Sequence, residues 1–330
     1  MSVSIRAHEV RIAAYGAADA LVLQEVDLPA PGAGEVLVRQ HAVGINFIDI
    51  YHRRGVFPIP HLPGAIGVEA AGVVEAVGPG VTRLRAGDRV AYAGPPVGSY
   101  ASARVLPEAA LVKLPDAISF EAAAALMLQG MTAHMLFTRV RRVATGDTVL
   151  VHAAAGGLGL LLGQWAKALG ARVIGTVGSP AKAEHALRAG CCDVILYKEQ
   201  DFATETRRLT DGAGVDVVYE GLGGDVLLKS LDCLKPFGLA VNLGQVGEPL
   251  GAVELARLGP QRSLAVAVPG VFAHLRTLPD LQAGADEMFA MVTSGAVAPT
   301  VGLSLPLADA GEAHRRLEAG TTTGSLILIP

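Results

Sequence analysis

The order of apolar and polar positions divides the chain into two regimes. From Thr148 onward, short continuous apolar runs alternate with longer mixed stretches. Thr148-Val149-Leu150-Val151-His152 reads as a buried parallel strand, residues 160–169 as an apolar helix closed by Gly170, and Val173-Ile174-Gly175-Thr176-Val177 as the next strand. Further strands are predicted at 194–197, 215–219, 239–243 and 264–268, with helical stretches near 182–189, 201–210 and 226–234. Six strands joined by crossovers predict an α/β fold with a doubly wound parallel sheet. Before about residue 127 the runs are short and often alternating, at Val10-Arg11-Ile12, 21–26, 35–40, 72–77 and 89–92. Pro29-Ala30-Pro31-Gly32, Gly78-Pro79-Gly80 and Ala86-Gly87-Asp88 punctuate them, which predicts a small barrel or sandwich. Ser119 is placed to N-cap a helix running through Leu128, and a second helix is predicted at 132–139. A last helix, 280–293, precedes the apolar run 326–329, which reads as a strand returning to the first region.

The junction between the strand at 148 and its helix carries Ala154-Ala155-Gly156-Gly157-Leu158-Gly159. Strand, glycine turn, helix and strand within about thirty residues form the unit that binds a dinucleotide pyrophosphate. Glycines let backbone N–H groups approach the phosphates, and the helix N-terminus adds positive potential. Alanine stands in the first glycine place, so the motif rests on its strand-to-helix context. An NAD-type site puts Asp or Glu after the second strand for the ribose 2′-hydroxyl. Thr176-Val177-Gly178-Ser179-Pro180-Ala181-Lys182 holds no carboxylate there. Ser179 can donate a hydrogen bond and Lys182 can neutralise a 2′-phosphate, which favours NADP(H). Ser179 as a plain helix N-cap and Lys182 as a solvated cation is the competing reading, and an N-cap is itself compatible with an anion site. Tyr197 either extends this pocket or caps the sheet edge. His152 reads as a satisfied core histidine.

Length and charge narrow the classes. The 330 residues suffice for two domains, and a formal charge of −4 without a run of like charges carries no nucleic-acid signature. Residues 1–10 include Arg6, His8 and Glu9 and show no apolar signal core, and no uncharged stretch is long enough to span a bilayer, so a cytoplasmic location is expected. Three cysteines without metal-ligand spacing predict reduced, mostly buried thiols.

Several segments in order carry a family resemblance: Val43-Gly44-Ile45-Asn46-Phe47-Ile48-Asp49-Ile50-Tyr51, Gly67-Val68-Glu69-Ala70-Ala71-Gly72-Val73-Val74, Ala86-Gly87-Asp88-Arg89-Val90, Leu128-Gln129-Gly130-Met131-Thr132-Ala133 and His152 through Gly159. Over nearly its whole length the chain resembles the zeta-crystallin-like quinone oxidoreductases, zinc-free members of the medium-chain dehydrogenase/reductase superfamily. The resemblance implies a GroES-like β-barrel catalytic domain, residues 1–127 and 272–330, and a Rossmann NADP(H)-binding domain, residues 128–271. It implies a nicotinamide in the cleft between them and a homodimer paired through the last strand of the nucleotide domain. Zinc-dependent relatives carry a ligand Cys where this chain has Asn46, and Gly-His-Glu where it has Gly67-Val68-Glu69. No metal is therefore expected, and Lewis-acid activation of an alcohol is not available. The same resemblance makes Asn46 and Tyr51 catalytic, flanking nicotinamide and acceptor, with Gln129 and Thr132 near the nicotinamide. Gly156, Gly157, Leu158 and Gly159 would meet the pyrophosphate. Asn242, Leu243, Gly244 and Gln245 would lie on the nicotinamide side, and Ser325 would join the cofactor site. Two departures stand out: Gly320 and Val268-Pro269 occupy places where some relatives carry an Arg.

These readings converge on an NADPH-dependent quinone reductase. Catalysis would rest on proximity and orientation, with the developing oxyanion protonated by water or Tyr51. Reduction of α,β-unsaturated ketones, aldehydes or acyl thioesters is the alternative within enzymes. For a thioester, Arg53 and Arg54 could offer a basic patch, although solvated surface arginines explain them equally. A non-catalytic nucleotide-binding or RNA-binding protein is the alternative outside enzymes, and the acidic balance speaks against RNA. Neither membrane nor nucleic acid is expected as a partner.

Overall fold

The computed structural model describes residues 5–249 and 251–330, so the first four residues of the N-terminal segment considered above lie outside it. The chain forms two compact units, one of residues up to 131 with 272–293 and 299–330, the other of 132–271 with 294–298. The second includes 294–298, within the stretch expected to belong wholly to the first. Gln164 is the local reason: its Nε2 donates to the Ala298 carbonyl at 3.1 Å and its Oε1 accepts from the Ala298 N–H at 2.7 Å.

The first unit is mostly β. A seven-stranded sheet runs in the order Val301–Pro306, Ser325–Ile329, Glu35–Ile45, Glu69–Val77, Arg89–Ala93, Val112–Lys113, with Ala103–Pro107 also paired to Glu35–Ile45. A three-stranded sheet orders Val22–Leu28, Ile5–Ile12 and Gly64–Ala65. Their inward positions, among them Val36, Val38, Ile66, Tyr92, Tyr100, Leu106 and Leu328, form one buried core. The C-terminal run returns as read from the sequence, Leu326 opposite Ile45 and Leu328 opposite Val43 in antiparallel register.

The second unit holds a six-stranded sheet ordered Asp193–Leu196, Arg172–Val177, Thr148–Val151, Val215–Glu220, Leu234–Asn242, Ala265–Ala267, every neighbouring pair parallel. In chain order this is 3-2-1-4-5-6, the doubly wound arrangement. Its strands are apolar because helices cover both faces. Asp201 and Ser179 cap the helices Phe202–Leu209 and Pro180–Arg188 with their side-chain oxygens.

One predicted helix is broken. The stretch from Ser119 through Leu128 forms Phe120–Ala124, stops, and restarts as Met127–Met135, which ends in a wider π-type turn, Leu136–Val140. The break comes from tertiary partners that take the backbone groups a continuous helix would use. The Leu128 N–H donates to Glu69 Oε1 at 2.7 Å, and the Ala125 carbonyl accepts from Ser325 Oγ at 3.1 Å. The strand Val301–Pro306 and the helix Ala310–Glu318 have no counterpart in the sequence reading. That helix buries Ala310, Ala313 and His314, residues too small or too polar to mark an apolar face.

Gly44 is the tightest point of the broken-helix region. A Cβ there would run into the Ala124 carbonyl and into Glu69 Oε2. Gly44→Ala is expected to lower stability by about 1–3 kcal/mol, the usual range for overpacking, with a lower urea midpoint and an unchanged slope.

Candidate active site

At the carboxyl edge of the parallel sheet, the strand Thr148–Val151 leads through Ala153, at φ 49°, to Gly156, which caps the helix Gly157–Ala168. A Cβ on Gly159 would collide with the Ala153 carbonyl and stand 2.8 Å from Ala154 Cα, so only glycine lets this helix sit so close to the turn. The alanine in the first glycine place has its own accommodation. Ala154 is buried, its N–H donates to the Thr176 carbonyl at 3.0 Å, and a Cβ on Gly175 would come within 2.7 Å of its methyl. Gly175 on the neighbouring strand has given up the side chain that Ala154 kept.

The next strand, Arg172–Val177, delivers Ser179 and Lys182 at the same edge. Ser179 Oγ accepts the Lys182 N–H at 3.4 Å, so the serine is an N-cap. Burial first, and then the positive charge of Lys198, hold the Lys182 ammonium below its ordinary range. Tyr197 is 47% exposed, and its hydroxyl would lie 2.9 Å from a Cβ on Gly178, with Lys198 Cε at 3.4 Å from the same point. Tyr197 and Lys198 therefore border the turn that leads to Ser179. Lys198 was not singled out in the sequence, although its place directly after a strand-end tyrosine was a usable signal.

Further along this edge, Asn242 ends the strand Leu234–Asn242, and its Nδ2 donates to Glu220 Oε1 and, at 2.7 Å, to the Gly244 carbonyl. Glu220 Oε2 accepts the Leu222 and Gly223 N–H groups, both at 2.9 Å. Asn242 thus shapes the turn through Leu243, Gly244 and Gln245. His152 is a core histidine: its two ring nitrogens meet Thr176 Oγ1 at 2.9 Å and Ser230 Oγ at 3.0 Å, and burial lowers its pKa to about 4.

The first unit gathers Asn46, Gln129 and Ser325 around a residue the sequence reading quoted without assigning a role, Glu69. Asn46 caps the helix Phe47–Arg54, its own N–H donating to Asp49 Oδ2 at 2.8 Å. Its side-chain Nδ2 donates to Glu69 Oε2 at 2.6 Å, while its Oδ1 accepts from Gln129 Nε2 at 3.3 Å. Gln129 Oε1 accepts from Ser325 Oγ at 2.9 Å. Glu69 is fully buried, and desolvation, with a smaller push from Asp49, raises its pKa to about 8 against the hydrogen bonds from Asn46, Leu128 and Met127. A lone acid inside the apolar stretch 66–74 was the available sign. Tyr51 lies five residues past Asn46 on the same helix, half-buried, its ring edge-on to Phe57 at 5.5 Å. Thr132 falls in the second unit, on the helix Met127–Met135.

Arg53 and Arg54 share one carboxylate. Both donate to Glu318 Oε1, at 2.8 and 2.5 Å, and Arg53 is buried. Arg53 Nη1 also meets His314 Nδ1 at 3.2 Å, His314 Nε2 meets the Tyr100 hydroxyl at 2.9 Å, and that hydroxyl donates to Asp49 Oδ2 at 3.1 Å. One tautomer satisfies this chain, a neutral His314 with its proton on Nε2, in keeping with burial holding its pKa near 3. Burial raises Asp49 to about 7, and its Oδ1 has no partner.

Known proteins place this arrangement. Residues 32–116 match the family described as alcohol dehydrogenase GroES-like domain, and residues 157–272 match the zinc-binding dehydrogenase family. A quinone oxidoreductase of Pseudomonas aeruginosa is 45% identical over 98% of this chain and 100% of its own length. The chain belongs to the quinone oxidoreductase family of medium-chain dehydrogenases/reductases. A 2-haloacrylate reductase from Burkholderia is 42% identical over 96% of each chain. The solved structure of Escherichia coli quinone oxidoreductase complexed with NADPH superposes with a TM-score of 0.95 at 41% identity, covering 98% of this chain and 100% of that one. Within this oxidoreductase chain, Val68 is buried and has no donor atom, and Asn46 commits its amide to Glu69. Among the described residues no group of three or more His, Cys, Asp or Glu side chains could hold a metal ion.

The buried carboxyls set a pH dependence. A carboxyl whose folded pKa is raised adds stability below its unfolded pKa and loses it as pH rises through the folded value. For Asp49 and Glu69 those values are about 7 and about 8. The oxidoreductase should therefore lose stability as pH rises from about 4, the ordinary carboxylate range, to about 8, and level off above it. Glu69→Gln should flatten the part of that decline due to Glu69; urea midpoints measured across this range check it.

Proposed function

We propose that this protein is an NADPH:quinone oxidoreductase that delivers hydride to a quinone without a metal. The observation that carries the reading is the glycine turn combined with Ser179 and Lys182 at the end of the second sheet strand, where an NAD-type site needs a carboxylate. The fit to NADP(H) is physical. Gly156 and Gly159 keep side chains off a turn whose N–H groups open towards a pyrophosphate. Burial and, less, the nearby Lys198 charge depress the Lys182 pKa, and a 2′-phosphate dianion would offset both. Relatives described as quinone oxidoreductases and a homologous structure complexed with NADPH support the reading.

The cofactor, when bound, supplies the hydride. The chain's residues bind and orient. Gly156, Gly157, Leu158 and Gly159 hold the pyrophosphate; Ser179, Lys182 and Tyr197 hold the adenosine ribose phosphate. In the second unit Thr132 and Asn242 through Gln245 are assigned to the nicotinamide, and in the first unit Gln129 and Ser325 are. Asn46 aligns cofactor and acceptor through its side-chain amide, and Tyr51 or water returns a proton to the reduced acceptor. A quinone is already electrophilic, so orientation suffices where an alcohol would need a metal. The kinship to a 2-haloacrylate reductase favours conjugated carbonyl acceptors as the second reading. A cytoplasmic homodimer is part of the proposal. The strand Ala265–Ala267 stands at the sheet edge, with Val268 exposed beside it. Among the described residues no helix is long and apolar enough to cross a membrane.

Oxidation of NADPH and NADH with a para-quinone, an enone, a 2-haloacrylate and an enoyl thioester, each with and without chelator, tests the proposal. NADPH-dependent quinone reduction that survives chelation is expected; dependence on metal, or turnover of the thioester alone, overturns it. Ser179→Ala and Lys182→Ala should each raise KM for NADPH roughly ten- to hundredfold, the range for a lost charge-assisted hydrogen bond, and leave KM for NADH unchanged.

A further inference from the structure

The hydrogen bonds through Asn46, Gln129 and Ser325 have a direction, and one end of the chain is frustrated. The Ser325 hydroxyl has one hydrogen and faces two acceptors, Gln129 Oε1 at 2.9 Å and the Ala125 carbonyl at 3.1 Å. At the other end Glu69 only accepts, from Asn46 Nδ2 on Oε2, from the Leu128 N–H on Oε1 and from the Met127 backbone. That acceptor forces Asn46 to present Nδ2 to Glu69 and Oδ1 to Gln129. Gln129 must then turn its Nε2 to Asn46 and its Oε1 to Ser325, which leaves the serine one hydrogen short.

We propose that Glu69 is a positioning residue that sets the direction of this chain, and that the chain reverses when the carboxyl takes a proton from solvent onto Oε2. The Leu128 N–H on Oε1 can only donate, whereas the Asn46 amide on Oε2 can turn its oxygen to the carboxyl, so the proton goes to the oxygen facing Asn46. Two donors would then oppose each other, and a half-turn of the Asn46 amide removes the conflict. Asn46 Oδ1 accepts from Glu69, and its Nδ2 donates to Gln129. Gln129 turns over in the same way, so that its Nε2 donates to Ser325 Oγ. The serine hydrogen is left to the Ala125 carbonyl alone. In this direction every donor has its own acceptor, and no backbone atom need move. Asn46, Leu128 and Met127 favour the ionised form of Glu69 by donating to it; the titratable groups facing it do not. Asp49 on the helix Phe47–Arg54 interacts unfavourably with its charge, and Tyr92 on the strand Arg89–Ala93 and Tyr100 face it as phenols whose own ionisation that charge disfavours. The Ser99 hydroxyl accepts the Glu69 N–H at 3.0 Å. Arg104, behind Tyr92, directs its guanidinium to the Tyr92 hydroxyl and to the carbonyls of Pro96 and Val97.

The consequence for catalysis rests on the proposed function: if Asn46 aligns cofactor and acceptor, reversal changes which end of its amide faces Gln129. The test begins without turnover. The chain contains two asparagines, Asn46 and Asn242. Labelling asparagine isotopically therefore gives two side-chain amide signals in a nuclear magnetic resonance spectrum. Asn242 donates to the Gly244 carbonyl and to a different carboxyl, Glu220, so its signal is told apart by its indifference to Glu69→Gln. From about pH 6 to about pH 10 the Asn46 amide should shift with one midpoint, near the value of about 8 for Glu69, and the Asn242 amide should show no shift that depends on Glu69. In Glu69→Gln, whose side-chain amide donates to Asn46 at every pH, the Asn46 signal should stay at its acid-side position. A static Asn46 signal in the unsubstituted protein overturns the proposal even if the variant fails to fold, and so does an Asn46 titration that persists in the variant. Quinone reduction measured over the same range separates the two claims. A titrating amide in a protein that reduces no quinone supports the inference and ends the functional reading; quinone reduction beside a static amide does the reverse.

Discussion

The buried Glu69 carboxyl is the contact on which much of the first unit depends. Among the described residues no cation meets it directly, and its two oxygens accept from the Asn46 amide and the Leu128 N–H, with a further backbone hydrogen bond from Met127. Burying a carboxyl is costly unless its lone pairs are satisfied. The Asn46 and Leu128 donors come from segments more than fifty residues apart in the chain, and satisfying the carboxyl joins them. Gly44 completes the arrangement by leaving the volume that Glu69 Oε2 and the Ala124 carbonyl occupy. The interrupted helix, the orientation of Asn46 and the docking of the C-terminal strand through Ser325 all follow from that small polar cluster.

The second buried chain, from Glu318 through Arg53, His314 and Tyr100 to Asp49, serves the same helix from its other end. Asn46 is thus held twice: its side chain by Glu69, its backbone N–H by Asp49. Such networks rigidify when every group is matched and are costly when one is left over. The unpartnered Asp49 Oδ1 and the doubly solicited Ser325 hydroxyl mark where matching is incomplete. The parallel sheet solves its polar problem differently. Glu220 ties two backbone N–H groups and Asn242 at a strand end, a local turn device with no long-range clasp.

The alanine in the glycine motif shows how a motif can depart from its usual form without losing its geometry. The space needed at the turn is conserved between two strands and not at one position: Ala154 keeps a methyl because Gly175 opposite it has none. Gly159, by contrast, faces backbone atoms that cannot move aside, so its place in the motif admits no exchange.

Periodicity and punctuation determined much of the architecture. The six parallel strands, the glycine turn between Val151 and Gly157, the lack of a carboxylate between Thr176 and Lys182, and the return of the C-terminal strand were legible because each depends on residues adjacent in sequence. What the tertiary structure alone decided are the matters in which distant groups compete for one hydrogen bond. The helix from Ser119 stops at Ala125 because Glu69 and Ser325 claim its backbone; local propensity would have carried it on. Arg53 and Arg54, basic neighbours in the sequence, share the carboxylate of Glu318, which is more than two hundred and sixty residues away. Glu69 is an ordinary acid in a strand until Gly44, Asn46 and Leu128 surround it. Hydrophobic pattern records which face is buried, whereas the partner of a buried polar atom is set only when the chain has closed around it.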